Sequence, residues 1–308
     1  MSLRLRSPGY LTTVGVIALL TILAVGVGQD SFTLWLVFAS IYITLALAWD
    51  FSSGLTGYVN FGLPFFFALG AFATGYFFYN GDSPVPLLLV LASCVGLLGG
   101  FLFAFPTLRL RGPFFTFLSL LLPLIGSDFI VAFWTVLHLP TLGYYGLPFL
   151  GSSLDERLVV LSVVNIAFVT VLFLLRHSHF GLVLRGIRDD EEVVEAQGIR
   201  SFPYKLLAFT LANGVVGFAG GAYALTTTIA GVDAFGFTFL LFPILIAILG
   251  GTGEILGAVF AGYAIIVVYE FLYPILGSLA LLGFSAVAIL LVLFLPGGVI
   301  RLLRTGGS

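Results

Sequence analysis

Chemistry in water needs polar side chains close together, and one stretch of this 308-residue chain supplies them. Residues 176–203 carry His177, His179, Arg185, Arg188, Asp189, Asp190, Glu191, Glu192, Glu195 and Arg200. Interleaved acids and bases suit recognition of a charged surface rather than bond-making. No nucleophile, base and orienting group can be assembled from any pattern in the sequence. His138, His177 and His179 have no Asp, Glu or Cys at metal-ligand spacing, so neither catalytic residues nor metal ligands are expected. A G-x-x-x-x-G-K-[ST] phosphate loop is missing, and the single lysine, Lys205, follows Pro203-Tyr204. If ATP drives this protein, another chain must bind it.

The polar stretch must be held by helices. Asp189 can cap a helix, with Glu192 three residues on to reach back. The run Asp189-Asp190-Glu191-Glu192 suits the positive end of a helix, and Gly198 is a natural stop. Phe180, Leu184 and Ile187 recur at spacings of four and three beside Val183, which makes one apolar face. The pattern predicts one or two short amphipathic helices along a membrane surface. As a docking surface for a cytoplasmic partner, the apolar face would enter a groove and the charges would set register. A loop kept soluble by its charges is the plainer alternative.

The rest of the chain is apolar. Hydrophobic residues make up 60% and charged residues 8%, against roughly 25% charged in a soluble domain. So few charges cannot clothe a surface in water. In hydrocarbon the backbone must satisfy itself, and long unbroken apolar runs exclude the alternating strands of a barrel, so the chain reads as a polytopic all-α membrane bundle. Ten stretches approach the roughly 20 residues of a span: 10–28, 32–50, 61–79, 85–105, 113–137, 157–175, 204–228, 237–250, 255–275 and 279–297. The eighth is short. The first follows Arg4 and Arg6 like a signal peptide, but its apolar run is too long and Val25–Gly28 is a poor cleavage site. With the N-terminus inside, the cytoplasmic segments hold Arg4, Arg6, Arg109, Arg111, Arg176, Arg185, Arg188, Arg200, Lys205, Arg301 and Arg304, and only Arg157 falls outside. This threading makes residues 1–308 one multi-pass domain of a cell membrane, with both termini and segment 176–203 in the cytoplasm. No basic stripe for nucleic acid appears. Cys94 stands alone, so no internal disulfide can form.

Two features bear on a solute path. Residues 50–60 are polar and broken by Gly54 and Gly57, and Pro64 follows. Irregular backbone at membrane depth is tolerated only inside protein or along a water-filled path, and transporters use it to aim backbone groups at solute. Gly57, Tyr58 and Asn60 are the candidates there, and a plain cytoplasmic loop fits the same residues. Asp128 and Glu270 are the deepest ionisable groups; Asp128 joins the pathway candidates. The sequence shows no chain of intramembrane acids of the sort that proton coupling needs.

Four segments, in order, resemble the LivM-type permeases of branched-chain amino-acid importers. They are GLTGYVNFGLPFFFALGAF (54–72), RLRGPFFTFLSL (109–120), GLVLRGIRDDEEVVEAQGIRSFPYKLLAFTLANGVVGFAGGAYA (181–224) and FTFLLFPILIAILGGTGEILGAV (237–259). The third is similar in its E-A-x-G-I ending, its lysine and its span rich in glycine and alanine; the fourth in its G-G-x-G turn. There are departures. Tyr58, Asn60 and Pro64 stand where Gln and His are common in the family, and Glu254-Ile255 where Thr-Leu is usual.

The resemblance implies an ATP-binding-cassette (ABC) importer working by alternating access. This chain would pair with a second permease, a LivH-like paralogue or another copy of itself. Two cytoplasmic ATPase subunits would bind ATP and Mg, and an extracytoplasmic solute-binding protein would deliver solute. The residues matching the family's ATPase-contacting segment are Leu184, Arg185, Ile187, Arg188, Asp190, Glu191, Glu195 and Gly198. Related permeases carry urea, amides, sugars or nucleosides, and an ion-coupled secondary transporter is the competing class.

Overall fold

The computed structural model describes residues 8–81, 83–110, 112–136 and 143–277, with the isolated positions 279, 283 and 286. Ten α-helices occur among them: α1 Pro8–Val27, α2 Asp30–Trp49, α3 Leu63–Gly81, α4 Val85–Thr107, α5 Pro113–Val136, α6 Leu154–Arg176, α7 His179–Ala196, α8 Ser201–Thr227, α9 Thr238–Gly250 and α10 Ile255–Leu276. Eight helical segments are long and apolar enough to cross a membrane; α3 has the length but carries Thr74, Tyr76, Tyr79 and Asn80. The expected spans from 10–28 to 255–275 each coincide with a helix, and the tenth, 279–297, lies outside the described residues, apart from positions 279, 283 and 286. The short eighth span is explained by its composition. α9 alone has 13 residues, about 20 Å at 1.5 Å per residue, which is less than the hydrocarbon core. A 3₁₀ turn at Val232–Phe235 precedes it and brings the helical stretch Val232–Gly250 to 19 residues.

The chain divides into two compact units. One comprises Met1–Asp50, Gly151–Leu175 and Phe242–Ser308. Its central helix is α2, buried on every side from Ala39 to Trp49, as suits a helix that is apolar all round. Thr44 Oγ1 donates to Asn165 Oδ1 at 2.8 Å, and Asn165 Nδ2 returns a bond to the Ser40 carbonyl at 3.0 Å, tying α2 to α6. Thr21 and Ser162 hydroxyls meet at 2.7 Å between α1 and α6. At its end α2 delivers Asp50, whose carboxylate accepts the Gly253 N–H at 2.7 and 2.9 Å in the α9–α10 turn.

The other unit comprises Phe51–Leu150 and Arg176–Leu241. Its centre is α8, 27 residues long, with α3 and α4 laid against it. Small residues permit the approach, the usual device where lipid supplies no hydrophobic drive between helices. A Cβ on Gly217 would stand 2.6 Å from the Ala92 carbonyl oxygen, and one on Gly220 would overlap the Phe67 carbonyl. Two short antiparallel strands, β1 Gly143–Tyr145 and β2 Ile229–Gly231, pair at the far end of α8, with Tyr144 opposite Ala230. Among the described residues the architecture is all-α apart from this pair.

Candidate functional site

The polar break after α2 is a built structure. Asp50–Gly54 form a π turn, a wider helical turn that frequently marks functional sites. Gly57 then takes φ +78°, in the left-handed region where a side chain is strained. Five of the freed backbone donors have named acceptors. Gly57 N–H reaches the Ser53 carbonyl at 2.9 Å, and Tyr58 N–H reaches Thr56 Oγ1 at 3.2 Å. Asn60 N–H reaches Ser53 Oγ at 3.0 Å, Phe61 N–H reaches Ser119 Oγ at 3.0 Å, and Gly62 N–H reaches Asn60 Oδ1 at 2.8 Å. Side chains thus replace the helix ladder that buried backbone otherwise needs. α3 restarts at Leu63, with Pro64 in its first turn, where a missing N–H costs nothing. Ser52, Ser53, Thr56 and Asn60 are buried, so this stretch is a buried break rather than an open cytoplasmic loop.

α7 is two short helices joined at a kink. Asp190 has φ −161° and ψ 107°, and its Oδ1 accepts the N–H groups of Glu192 at 2.9 Å and Val193 at 3.2 Å. The capping residue is therefore Asp190 and not Asp189, one position later than the sequence pattern placed it. At the other end Gly198, at φ +84°, closes the helix. Its N–H bonds the Glu195 carbonyl at 2.9 Å, and Ile199 N–H bonds that of Val194 at 3.4 Å, a Schellman stop. The apolar face expected to enter a partner's groove is turned into the protein instead. Leu184 is 0% exposed, Val183 and Ile187 are buried, and Phe180 stacks between Phe51 and Tyr204. What α7 offers outward is mostly polar: Arg188, Asp189, Asp190, Glu192 and Glu195, with Leu182 and Val193 among them.

The break and α7 meet on one charged cluster. Lys205, in the second turn of α8, places Nζ 2.5 Å from Glu191 Oε1 and donates to the Tyr58 hydroxyl at 3.0 Å, with Nζ 4.3 Å from the Tyr58 ring centroid. Tyr58 O–H donates to Glu191 Oε2 at 2.6 Å. Ser201 Oγ lies 2.5 Å from both Glu191 Oε1 and Glu195 Oε1, and its one proton can serve either. Burial pushes the Glu191 carboxyl up, but the bonds from Lys205, Ser201 and Tyr58, with the lysine charge, outweigh it and hold the group below the usual glutamate value. Beside the cluster, Arg188 Nη1 donates to the Gly54 carbonyl at 2.6 Å, and a Cβ on Gly57 would touch Arg188 Cγ at 3.4 Å.

The residues singled out from sequence are thereby regrouped. Gly57 and Tyr58, read as solute-path residues, sit against α7. Asn60 is spent on backbone bonds of the break. Asp128 is exposed on α5 beside Phe129 and takes no part in either group among the described residues. Of the docking set, Leu184 and Ile187 are buried. Arg185 bonds the carbonyls of Gly181 and Arg176, Arg188 and Glu191 are engaged with the break, and Asp190, Glu195 and Gly198 lie on the exposed side. Lys205 and Ser201 were not singled out as site residues. Their signal was a lone lysine in the second turn of an apolar span, just past a segment with surplus acids. Among the described residues no group of His, Cys, Asp and Glu could hold a metal ion.

Comparisons with known proteins bear on the chain as a whole. Residues 31–298 match the family model described as branched-chain amino acid transport system / permease component. The chain is 25% identical over 292 residues to the high-affinity branched-chain amino acid transport system permease protein LivM of Salmonella typhimurium, an alignment covering 86% of this chain and 68% of that protein. It is 24% identical to the protein of the same name from Escherichia coli, with the same coverage. No solved structure matches. With most of its length matched, this chain belongs to the family of branched-chain amino acid transport system permease components.

Proposed function

We propose that this protein is the membrane permease of an ATP-driven importer for branched-chain amino acids. The chain spans the cell membrane with both termini in the cytoplasm. It pairs with a second permease, and an extracytoplasmic binding protein delivers solute. Two ATPase subunits, which hold ATP and Mg, dock on the outward side of residues 181–198. The observation that carries this reading is the attachment of α7. A polar, two-part surface helix is fastened by Glu191 and Arg188 to a buried break in the membrane helices. A solvated loop needs no such attachment, whereas a chain without a nucleotide site needs a surface through which force can enter. The docking face is polar, so its partner contacts are hydrogen bonds and ion pairs centred on Arg188, Asp190 and Glu195 rather than an apolar ridge in a groove.

The test is reconstitution. Co-expression with the ATPase, permease and binding-protein genes of its own locus should give a complex that survives mild detergent. In proteoliposomes that complex should take up leucine, isoleucine and valine only with ATP and the binding protein. Uptake by this chain alone, driven by an ion gradient, would overturn the reading in favour of a secondary carrier.

A further inference from the structure

We propose that Tyr58, Glu191 and Lys205 form a clasp through which movement of α7 reaches the membrane break, which makes them positioning residues for coupling ATP hydrolysis to solute passage. The inference rests on the importer reading above and deepens it. Three elements converge on the clasp: Tyr58 from the break, Glu191 from the second half of α7, and Lys205 from α8. Each pair among the three side chains is in contact, at 2.5 Å for Lys205–Glu191, 2.6 Å for Tyr58–Glu191 and 3.0 Å for Lys205–Tyr58. A second grip lies nearby, where Arg188 holds the Gly54 carbonyl. Arg188 and Glu191 flank the kink at Asp190, and Gly54 and Tyr58 flank the end of the π turn. Two attachments at separated points leave α7 only rotation about the line between them, so other tilts of α7 displace the break. The clasp is also stiff. Lys205 is nearly dry, and a desolvated charge cannot slip from its partner without a large electrostatic cost. Tyr58 packs edge-on against Phe115 at 5.8 Å, so the break end is seated in the apolar cluster of Phe115, Leu108, Ala104 and Phe209.

A purely structural clasp would alter yield and thermal stability but leave the number of solutes moved per ATP unchanged. The discriminating measurement is that ratio, taken in proteoliposomes holding the full complex. Tyr58→Phe keeps the ring packing and removes only the hydroxyl. It should leave ATPase co-purification and basal hydrolysis as in wild type and lower transport per ATP by about fivefold or more, the scale of ordinary coupling energies. Lys205→Met should do the same. Glu191→Lys should lose coupling, and the exchange Glu191→Lys with Lys205→Glu should recover part of it, which separates lost linkage from lost folding. A wild-type chain that binds no ATPase would overturn the importer reading and the clasp with it. A wild-type complex that couples normally, with unchanged ratios in Tyr58→Phe, Lys205→Met and Glu191→Lys, would overturn the clasp alone.

Discussion

At the scale of single residues, Glu191 shows how one carboxylate can be both partly buried and charged. Its side chain is 16% exposed and that of Lys205 is 3% exposed. Removing one member of such a pair strands the other. Glu191→Gln should therefore destabilise the protein by about 3 kcal/mol, the lower end for a buried pair, measured by thermal unfolding in detergent. Adding Lys205→Met should return much of that, because the stranded ammonium is then gone. The pH dependence follows from the depressed carboxyl. Its contribution should be fully present above the unfolded glutamate value of about 4.3 and should fade as pH falls through the lower folded value. The stability gap between wild type and Glu191→Gln should thus be level through neutral pH and close only in more acid solution. A gap that closed nearer neutrality would show that the ion pair is not what holds Glu191. Sequence made Tyr58 and Glu191 visible as interesting residues. It could not pair them, because 133 positions separate the two and no local spacing relates them.

Among the elements, the helices of the membrane were legible and their irregularities were not. Apolar runs longer than a bilayer is thick leave helix as the one internal solution, so nine of the expected stretches coincide with helices, eight of them long and apolar enough to cross. The break that opens with the π turn at Asp50–Gly54 depends on which distant groups accept the freed backbone bonds. Ser119, which serves Phe61, is one such group. The cap of the second part of α7 fell at Asp190 rather than Asp189 because the two adjacent aspartates suit the cap equally by type, and only the backbone angles at the kink choose between them. The α3–α8 interface yields a sharp prediction. A Cβ at Gly220 would collide with the Phe67 carbonyl, which is backbone and cannot swing away. Gly220→Ala should cost about 1–3 kcal/mol or more, as overpacking does, and appear as a lowered unfolding temperature and poor monodispersity in size-exclusion chromatography. At Gly198, where an added Cβ meets nothing, the same change strains only the left-handed stop. It should leave the transmembrane helices intact.

For the molecule as a whole, the sorting of positive charge predicts sidedness. Reporter fusions at Gly81 and Gly186 should report opposite faces of the membrane, the first outside and the second in the cytoplasm. The same face for both would require a different number of spans between α3 and α7. The sequence by itself determined the class of this protein. Scarce charge forces burial in lipid, lipid forces helices, and the one polar segment must lie in water, while the four ordered motifs placed it among the branched-chain amino acid permeases. What only the tertiary structure decided is which face of that segment is used. Amphipathic periodicity says that an apolar face exists but is silent on whether a partner or the chain itself covers it. Here the chain covers it with its own residues, as the burial of Leu184 and Ile187 shows. The polar side is left outward, and Glu191 is turned in to meet Lys205 and Tyr58. The physical reason is that burial and charge pairing are properties of three-dimensional neighbours, whereas a sequence displays only the neighbours along the chain.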